Sequence, residues 1–311
     1  MTYTLPTPAQ TFKIGTRGSP LALWQAHEVR RTLRVAFDLP EAAFEIVVIK
    51  VTGDLIQDRA LKEIGGKGLF TREIEEALLA GSIDIAVHSM KDMPVLQPEG
   101  LLLDCYLPRA DVRDGFVSPG FASIADLPLG AVVGSSSLRR RAQLAHRRPD
   151  LALVEFRGNV QTRMKKLTDG VAQATFLAMA GLTRLEMAGV ARPIEVSEML
   201  PAVAQGAIGV ERRLNDARAE AMLAAIHHLP TGQQLAAERA FLARLDGSCE
   251  TPIAGLAVLE GDQLWLRGEI LRPDGGRVIK GDIRGPVADG AELGQALADR
   301  LLAEAGSGFF S

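Results

Sequence analysis

A lysine and an aspartate stand directly after an apolar run in the segment His88-Ser89-Met90-Lys91-Asp92-Met93-Pro94. The run itself, Ile83-Asp84-Ile85-Ala86-Val87, reads as a buried strand. In open α/β sheets, ligands bind in the crevice beyond the carboxyl ends of the strands, so Lys91 and Asp92 occupy a position suited to chemistry. An aspartate there can be a catalytic carboxylate, and a lysine can hold a carboxylate or form a Schiff base. The plainer readings are that Asp92 caps a turn before Met93-Pro94 and that Lys91 is a solvated surface charge.

Other residues could bind anions. Ser135-Ser136-Ser137 precedes Arg139, Arg140 and Arg141, but no Gly-x-Ser-x-Gly elbow is present and no histidine pairs with the serines. Hydroxyl and backbone donors at a helix start are therefore the better reading than a nucleophile. Arg139 and Arg140 would sit in the first helical turn, where cations oppose the dipole, a cost that a bound anion would offset. By default, the run from Arg139 to Arg148 is the solvated face of a helix. Arg157-Gly158-Asn159 and Arg163 follow another strand candidate and could converge on one anion. Gly65-Gly66-Lys67-Gly68 lacks the order of a phosphate loop, which argues against nucleotide binding. Its glycines could instead hinge a lid in the long loop 52–68, with Lys67 reaching an anionic ligand.

The 311 residues suit two or three domains, and 47% hydrophobic with 23% charged side chains is the balance of a globular protein. The N-terminal stretch shows no basic segment followed by an apolar one, and no run is long enough to span a bilayer, so a cytoplasmic protein is expected. Two cysteines, Cys105 and Cys249, are read as free thiols, the first packed in a strand and the second in a turn. Five scattered histidines give no metal-ligand spacing, and no bound metal is expected. A net charge of −3 and 5% aromatic content disfavour a nucleic-acid binder or a protein of anionic membranes. Yet 27 of the 35 cationic side chains are Arg, five of them between Arg139 and Arg148. That bias fits a locally basic cleft for a small polyanion, although a GC-rich genome also favours Arg codons.

From Phe12 to Gly189 short apolar runs alternate with amphipathic segments, which predicts βαβ units on a parallel sheet. Strands are expected at 12–16, 45–51, 83–87, 101–105, 131–134, 151–155 and 174–178, and helices at 20–35, 72–79, 138–145, 160–167 and 182–187. Two units look alike: a strand leading through Arg17-Gly18-Ser19 into a helix opened by Pro20, and a strand leading through Ser135-Ser136-Ser137 into the arginine-rich helix. Each places hydroxyls and arginine at a helix N-terminus, which suggests two similar lobes. A further strand is expected at 205–211 and a helix at 215–227. Thr231-Gly232-Gln233-Gln234 offers a capping box for a helix ending near Leu245. Three strand-like runs between Ile253 and Ile283 and a helix over 291–305 make a small α+β unit.

Taken in order, these segments resemble one family closely, porphobilinogen deaminase. The matching residues are 15–26 (Gly15-Thr16-Arg17-Gly18-Ser19-Pro20 and onward), Gly65 to Phe70, Ile85 to Asp92, Gly134 to Arg140, Arg157 to Arg163, and Gln205-Gly206-Ala207. No single motif carries the likeness; the ordered set does. The resemblance implies an α/β fold of two periplasmic-binding-protein-like lobes, 1–107 plus 205–224 and 108–204, with a smaller α+β domain over 228–311. It implies the joining of four porphobilinogens, with loss of ammonia, into the linear tetrapyrrole hydroxymethylbilane. It also implies a dipyrromethane cofactor held by a thioether to Cys249, and a monomer that binds neither nucleic acid nor membrane. In this likeness Asp92 matches the catalytic aspartate, a buried carboxylate near the pyrrole nitrogen. Arg17, Ser19, Lys67, Ser89, Lys91, Ser137, Arg139, Arg140, Arg157, Arg163 and Gln205 match cofactor- and substrate-binding positions. Two departures are small: Ser248 and Glu250 flank Cys249 where glycine and glutamine are common, and Ala204 stands where glycine is frequent. Two readings from other classes compete, a non-catalytic two-lobe anion-binding protein and an arginine-rich nucleic-acid binder.

Overall fold

The computed structural model describes residues 3–52, 71–247 and 251–310. The expected lid, 52–68, lies outside these residues apart from Thr52. The chain divides into two compact units. One holds the described residues 3–52, 71–109 and 207–232; the other holds 110–206, 233–247 and 251–310.

In the first unit a five-stranded sheet is built from β1 (Phe12–Arg17), β2 (Phe44–Ile49), β3 (Ile85–Ser89), β4 (Leu101–Tyr106) and β10 (Ile208–Arg213), in the order β2-β1-β3-β10-β4. β1 runs parallel to β2 and β3, with Phe12 opposite Phe44 and Ile14 opposite Ile85. β10 is antiparallel to both β3 and β4. The sheet is therefore mixed, where alternating βα units predicted a parallel one. The reason is that β10 returns only after the strands of the second sheet and inserts between β3 and β4, which are close in sequence. α1 (Pro20–Phe37) buries Ala26, Val29 and Leu33, at helical spacing, against one face of the sheet, alongside Met222 of α6 (Ala217–Ala224). α2 (Arg72–Leu79) buries Ile74 and Leu78 on the other face. α1 starts where expected: Pro20 occupies its first turn, and the Ser19 hydroxyl accepts the Ala22 N–H at 3.3 Å.

In the second unit β5 (Asp114–Val117), β6 (Val132–Gly134), β7 (Ala152–Val154), β8 (Ala174–Ala178) and β9 (Arg192–Pro193) form a second five-stranded sheet, ordered β7-β6-β8-β5-β9. β6 is parallel to β7 and β8, and β5 is antiparallel to β8. The plan repeats that of the first sheet, so the expected likeness of the two lobes holds at the level of strand order. α3 (Leu138–Arg147) packs Leu144 on one face, and α4 (Val160–Thr168) and α5 (Met179–Arg184) pack Leu167 and Leu182 on the other. α5 starts three residues before the expected helix, directly at the end of β8.

α7 (Leu229–Arg244) begins two residues ahead of the capping box read from Thr231. The Thr231 side chain is buried and instead accepts the Arg109 N–H at 3.1 Å, with His228 Nδ1 at 2.8 Å. Beyond it, β11 (Ile253–Glu260), β12 (Gln263–Leu271) and β13 (Val278–Pro286) form an antiparallel sheet, covered by α8 (Gly290–Ala305). Leu297 and Leu301 of α8 lie directly over Gly268 and Gly281. No helix among the described residues is long and apolar enough to cross a membrane.

One glycine fixes the edge on which the expected catalytic turn sits. Gly209 of β10 lies opposite His88, and a Cβ there would overlap the sulphur of buried Met90. Gly209→Ala is expected to lower stability by about 1–3 kcal/mol, the usual cost of overpacking, and to shift the turn that follows Ser89. Urea unfolding would measure the first effect; an unchanged midpoint would mean that Met90 has room to move.

Candidate active site

Because β1 and β3 are parallel neighbours, their C-terminal ends, Arg17 and Ser89, open on one edge of the first sheet. A single 3₁₀ turn, Met90–Asp92, follows β3. The Met90 N–H donates to the Ala207 carbonyl at 3.1 Å and its side chain fills the core, which leaves Asp92 facing outward. Asp92 is thus exposed, not the buried carboxylate that the resemblance implied. Lys91 is half-buried in the same turn.

A small pocket of about 80 Å³ at this edge is lined by Arg17, Gln25, Thr71, His88, Ser89 and Asp92, among others. Gln25, almost fully buried on α1, donates from Nε2 to the Ser89 hydroxyl at 2.8 Å. A serine donor, an arginine and a carboxylate are therefore presented together, a set able to hold an acid-bearing ring and to face a cation. Ser19 sits at the head of α1, with its hydroxyl oxygen engaged as the helix cap. Behind the pocket, His88 Nε2 lies 3.1 Å from Oε2 of Glu211, a residue of β10 with no solvent exposure. Burial, with the Glu211 charge adding to it, raises the carboxyl of nearby Glu75 above its ordinary value, and the His88 charge works against the shift.

In the second unit Arg139 and Arg140 do not lie on a solvated helix face. Both are buried, and both grip Asp114, which has no exposure. Arg139 Nη1 is 2.6 Å from Asp114 Oδ2, and Arg140 Nη2 is 2.6 Å from Oδ1. Gln205 Nε2 adds a third donor to Oδ1 at 2.9 Å. The arginines also donate to backbone carbonyls, Arg139 to Leu200 at 3.1 Å and Arg140 to Phe176 at 2.8 Å. Burial alone would raise the Asp114 carboxyl, but the two guanidinium charges overcome it and hold the group well below the usual carboxylate range. The dipole cost of cations in a first helical turn is thus offset by a carboxylate of the protein, where the sequence suggested a bound anion. Ser137 caps α3, accepting the Arg140 N–H at 3.5 Å.

Arg157 and Arg163 are half-buried around the loop that opens α4. Arg163 Nε donates to the Gly158 carbonyl at 2.8 Å, and Asn159 caps the helix. Lys67 and Cys249 lie outside the described residues. Cys105 is buried, as its strand position suggested, and burial pushes its thiol up to about 12.

The structure thus gathers Arg17, Ser89 and Asp92 at one sheet edge, and Arg139, Arg140 and Gln205 around Asp114. Asp114, Gln25, Thr71 and Glu211 were not anticipated. For Asp114 the only sequence signal was a lone acid ahead of Gly-Phe-Val, which reads equally well as a turn.

Two family models match the chain. That of the porphobilinogen deaminase dipyromethane cofactor binding domain covers residues 12–221, and that of the porphobilinogen deaminase C-terminal domain covers 233–303. A porphobilinogen deaminase of Paracoccus denitrificans is 69% identical over 307 residues, 98% of each chain. Among solved structures, the periplasmic aliphatic sulphonate-binding protein of Escherichia coli aligns over 75% of this chain and 70% of its own, at 15% identity and a TM-score of 0.40. A TRAP periplasmic solute-binding protein of Bordetella aligns over 76% and 83%, at 13% identity and a TM-score of 0.39.

Removing the Asp114 charge leaves two buried guanidinium groups without their counter-ion. Asp114→Asn is expected to cost about 3–5 kcal/mol of stability at neutral pH, as for other broken buried pairs. The folded carboxyl is held low, so its contribution is complete above the ordinary carboxylate range and lost as pH falls through that range and below. Urea unfolding should therefore show the wild type losing more stability than the variant between roughly pH 5 and pH 2. Parallel profiles would mean that Asp114 contributes nothing through its charge.

Proposed function

The chain belongs to the porphobilinogen deaminase family, and from that premise we propose how its residues divide the work of the reaction. The protein is a transferase that joins four porphobilinogen molecules, with loss of ammonia, into hydroxymethylbilane on a dipyrromethane primer. Identity of 69% to a deaminase across nearly the whole chain sets aside the non-catalytic two-lobe binder. The observation that carries the residue assignment is the pocket in which Asp92, Arg17 and Ser89 meet at the ends of adjacent parallel strands.

Loss of ammonia from porphobilinogen leaves a cationic carbon conjugated with the pyrrole nitrogen. Asp92, facing outward at the pocket rim, would stabilise that charge as it develops. Each ring brings an acetate and a propionate. Arg17 and Lys91, with the Ser89 hydroxyl held by Gln25, would take these acids on the first lobe, and Lys67 is assigned with them on the resemblance alone. On the second lobe Arg157 and Arg163 would do the same. Arg139, Arg140 and Gln205 keep their place as binding positions in this reading, but their geometry around Asp114 makes them first a scaffold that presents Ser137 and the head of α3. Ser19 would act likewise at the head of α1, through its cap.

A polar pocket with cation, hydroxyl and carboxylate suits the acid-bearing rings of a dipyrromethane. When bound, that group supplies the primer from which the chain grows. Cys249 is the proposed anchor; Cys105, buried and with a thiol pushed up to about 12, is a poor nucleophile for the task. The three-part division read from sequence (1–107 with 205–224, 108–204, and 228–311), a cytoplasmic location and a monomeric state complete the proposal.

The test is the intact mass of the purified protein under denaturing conditions. An excess over the sequence mass equal to two porphobilinogens less two ammonias is expected, and Cys249→Ser should lack it. An unmodified mass that persists after incubation with porphobilinogen would overturn the assignment. Asp92→Asn should retain the fold while turnover falls by about 10²–10³, the scale seen when one electrostatic stabiliser is removed. Turnover close to normal would remove Asp92 from the mechanism.

A further inference from the structure

Each addition has a proton to dispose of, and the Asp92 pocket has a second titratable side chain on its wall. His88 lines it, and its Nε2 lies 3.1 Å from Oε2 of Glu211. The side chains of both residues are almost wholly buried. The other oxygen, Oε1 of Glu211, is also buried and finds no hydrogen-bond partner among the described residues. The contrast with Asp114, which receives donors from two arginines and a glutamine, is plain. A buried carboxylate with one neutral partner is poorly compensated, and one that faces an imidazolium is compensated well. His88 thus stands between the pocket and a buried carboxylate that has one oxygen without a donor.

We propose that His88, braced by Glu211, is a catalytic residue that accepts the proton displaced from the pyrrole ring at each coupling. The inference rests on the deaminase reading above. The steps balance as follows. The aminomethyl group enters as its ammonium form; its carbon–nitrogen bond breaks with the electron pair leaving on ammonia, while the lone pair of the pyrrole nitrogen fills in behind and leaves a cationic carbon. A second pyrrole attacks through its unsubstituted α-carbon, forming the carbon–carbon bond and placing the positive charge on that ring. The electrons of the α-carbon–hydrogen bond then restore aromaticity, and the proton passes to the free nitrogen of the imidazole. The imidazolium next gives its proton to the ammonia, which departs as ammonium, and His88 is ready for the next addition. Asp92 stays charged throughout, opposite the cation.

The groups that face this exchange come from several elements. Glu211 is on β10; Glu75, on α2, has its carboxyl pushed up by burial and interacts with both Glu211 and His88; Arg72 acts on Glu75 from the same helix. Arg17 from β1 and Asp92 from the turn share the pocket with His88. Glu211 is a positioning residue in this scheme, since it acts through the imidazole.

The experiment uses the holoenzyme, with the loaded fraction read first by intact mass and rates expressed per loaded molecule. Porphobilinogen carrying hydrogen or deuterium at its free α-carbon is the probe. For His88→Gln, kcat should fall by about 10²–10⁴, the range for loss of a general base, with KM within about threefold of wild type. A primary isotope effect larger than in the wild type should emerge, because proton removal becomes rate-limiting; a purely structural role would not produce one. In Glu211→Gln the imidazolium loses its counter-charge, so the acid limb of the kcat/KM profile should move to lower pH. If His88→Gln does not fold, His88→Gln with Glu211→Gln restores a hydrogen-bonded pair of amides and must show the same isotope effect. A kcat within threefold of wild type, or a lower kcat with no added isotope effect, overturns the proposal. A wild-type protein that makes no hydroxymethylbilane would instead overturn the reading on which it rests.

Discussion

Asp114 and Glu211, two of the described carboxylates without solvent exposure, stand at the ends of the two five-stranded sheets, and those ends are organised by what each acid needs in compensation. Taking a carboxylate out of water costs several kcal/mol unless charge and hydrogen bonds replace the lost hydration. Asp114 obtains both. Arg139 and Arg140 supply charge, Gln205 supplies a further donor, and the same arginines close the carbonyls of Leu200 and Phe176. Segments far apart in the chain are thereby pinned to the first residue of β5. That residue is opposite Ala178, at the C-terminal end of β8, because β5 runs antiparallel. The direction of one strand thus puts a buried acid beside the head of α3 and fixes how that helix meets the sheet edge.

The first lobe uses the same device with a different balance. β10, the antiparallel strand of its sheet, carries Glu211 opposite Ala86 and so onto the face shared by His88, two residues along β3. Here the acid has a single side-chain partner, the His88 ring at 3.1 Å, and an oxygen left over. A fully satisfied buried network is rigid, whereas an oxygen left without a donor keeps the cost of its lost hydration. The saturated acid lies under a cluster whose task is to hold shape. The unsaturated one lies behind a pocket whose reaction must release protons. Equivalent strands of two similar lobes have been put to different chemical ends by the residues set opposite a glutamate and an aspartate.

What the sequence could and could not reveal follows from the range of each signal. Helical caps are local: Ser19, read as a cap from the sequence, accepts the N–H of the residue three positions on, and Ser137 and Asn159 do the same. Buried strands announce themselves as apolar runs, so the parallel strands and the turn carrying Lys91 and Asp92 were legible. Strand direction has no local signature, and neither antiparallel insertion could be read from periodicity. β5 begins Asp114-Gly115, a pair that reads as a turn, and it was missed altogether. The partners that matter most are 25, 91 and 123 residues apart, for Asp114 with Arg139, Asp114 with Gln205, and His88 with Glu211. A run of arginines therefore looked like an anion site when a protein carboxylate was already waiting for it.

The crossing from β9 back to β10 shows how tightly that buried acid constrains the backbone. Gln205 reaches Asp114 only if the chain turns sharply on either side of it, and both neighbours have positive φ: Ala204 at 60° and Gly206 at 87°. Glycine meets this without strain, and a Cβ on Gly206 would overlap the Ala110 carbonyl. Ala204 does not, and a left-handed alanine costs roughly 1–2 kcal/mol. The strain is held by a buried acid from another element: Glu238 of α7 accepts the Ala204 N–H at 2.6 Å and, with its other oxygen, the Ala257 N–H of β11 at 2.8 Å. One glutamate thus ties the strained crossing to the C-terminal sheet, and glycine's frequency in the family at the position of Ala204 acquires a physical cause. The conformation is dictated by where Gln205 must go, and the residue at 204 decides only how much strain the surrounding hydrogen bonds have to contain.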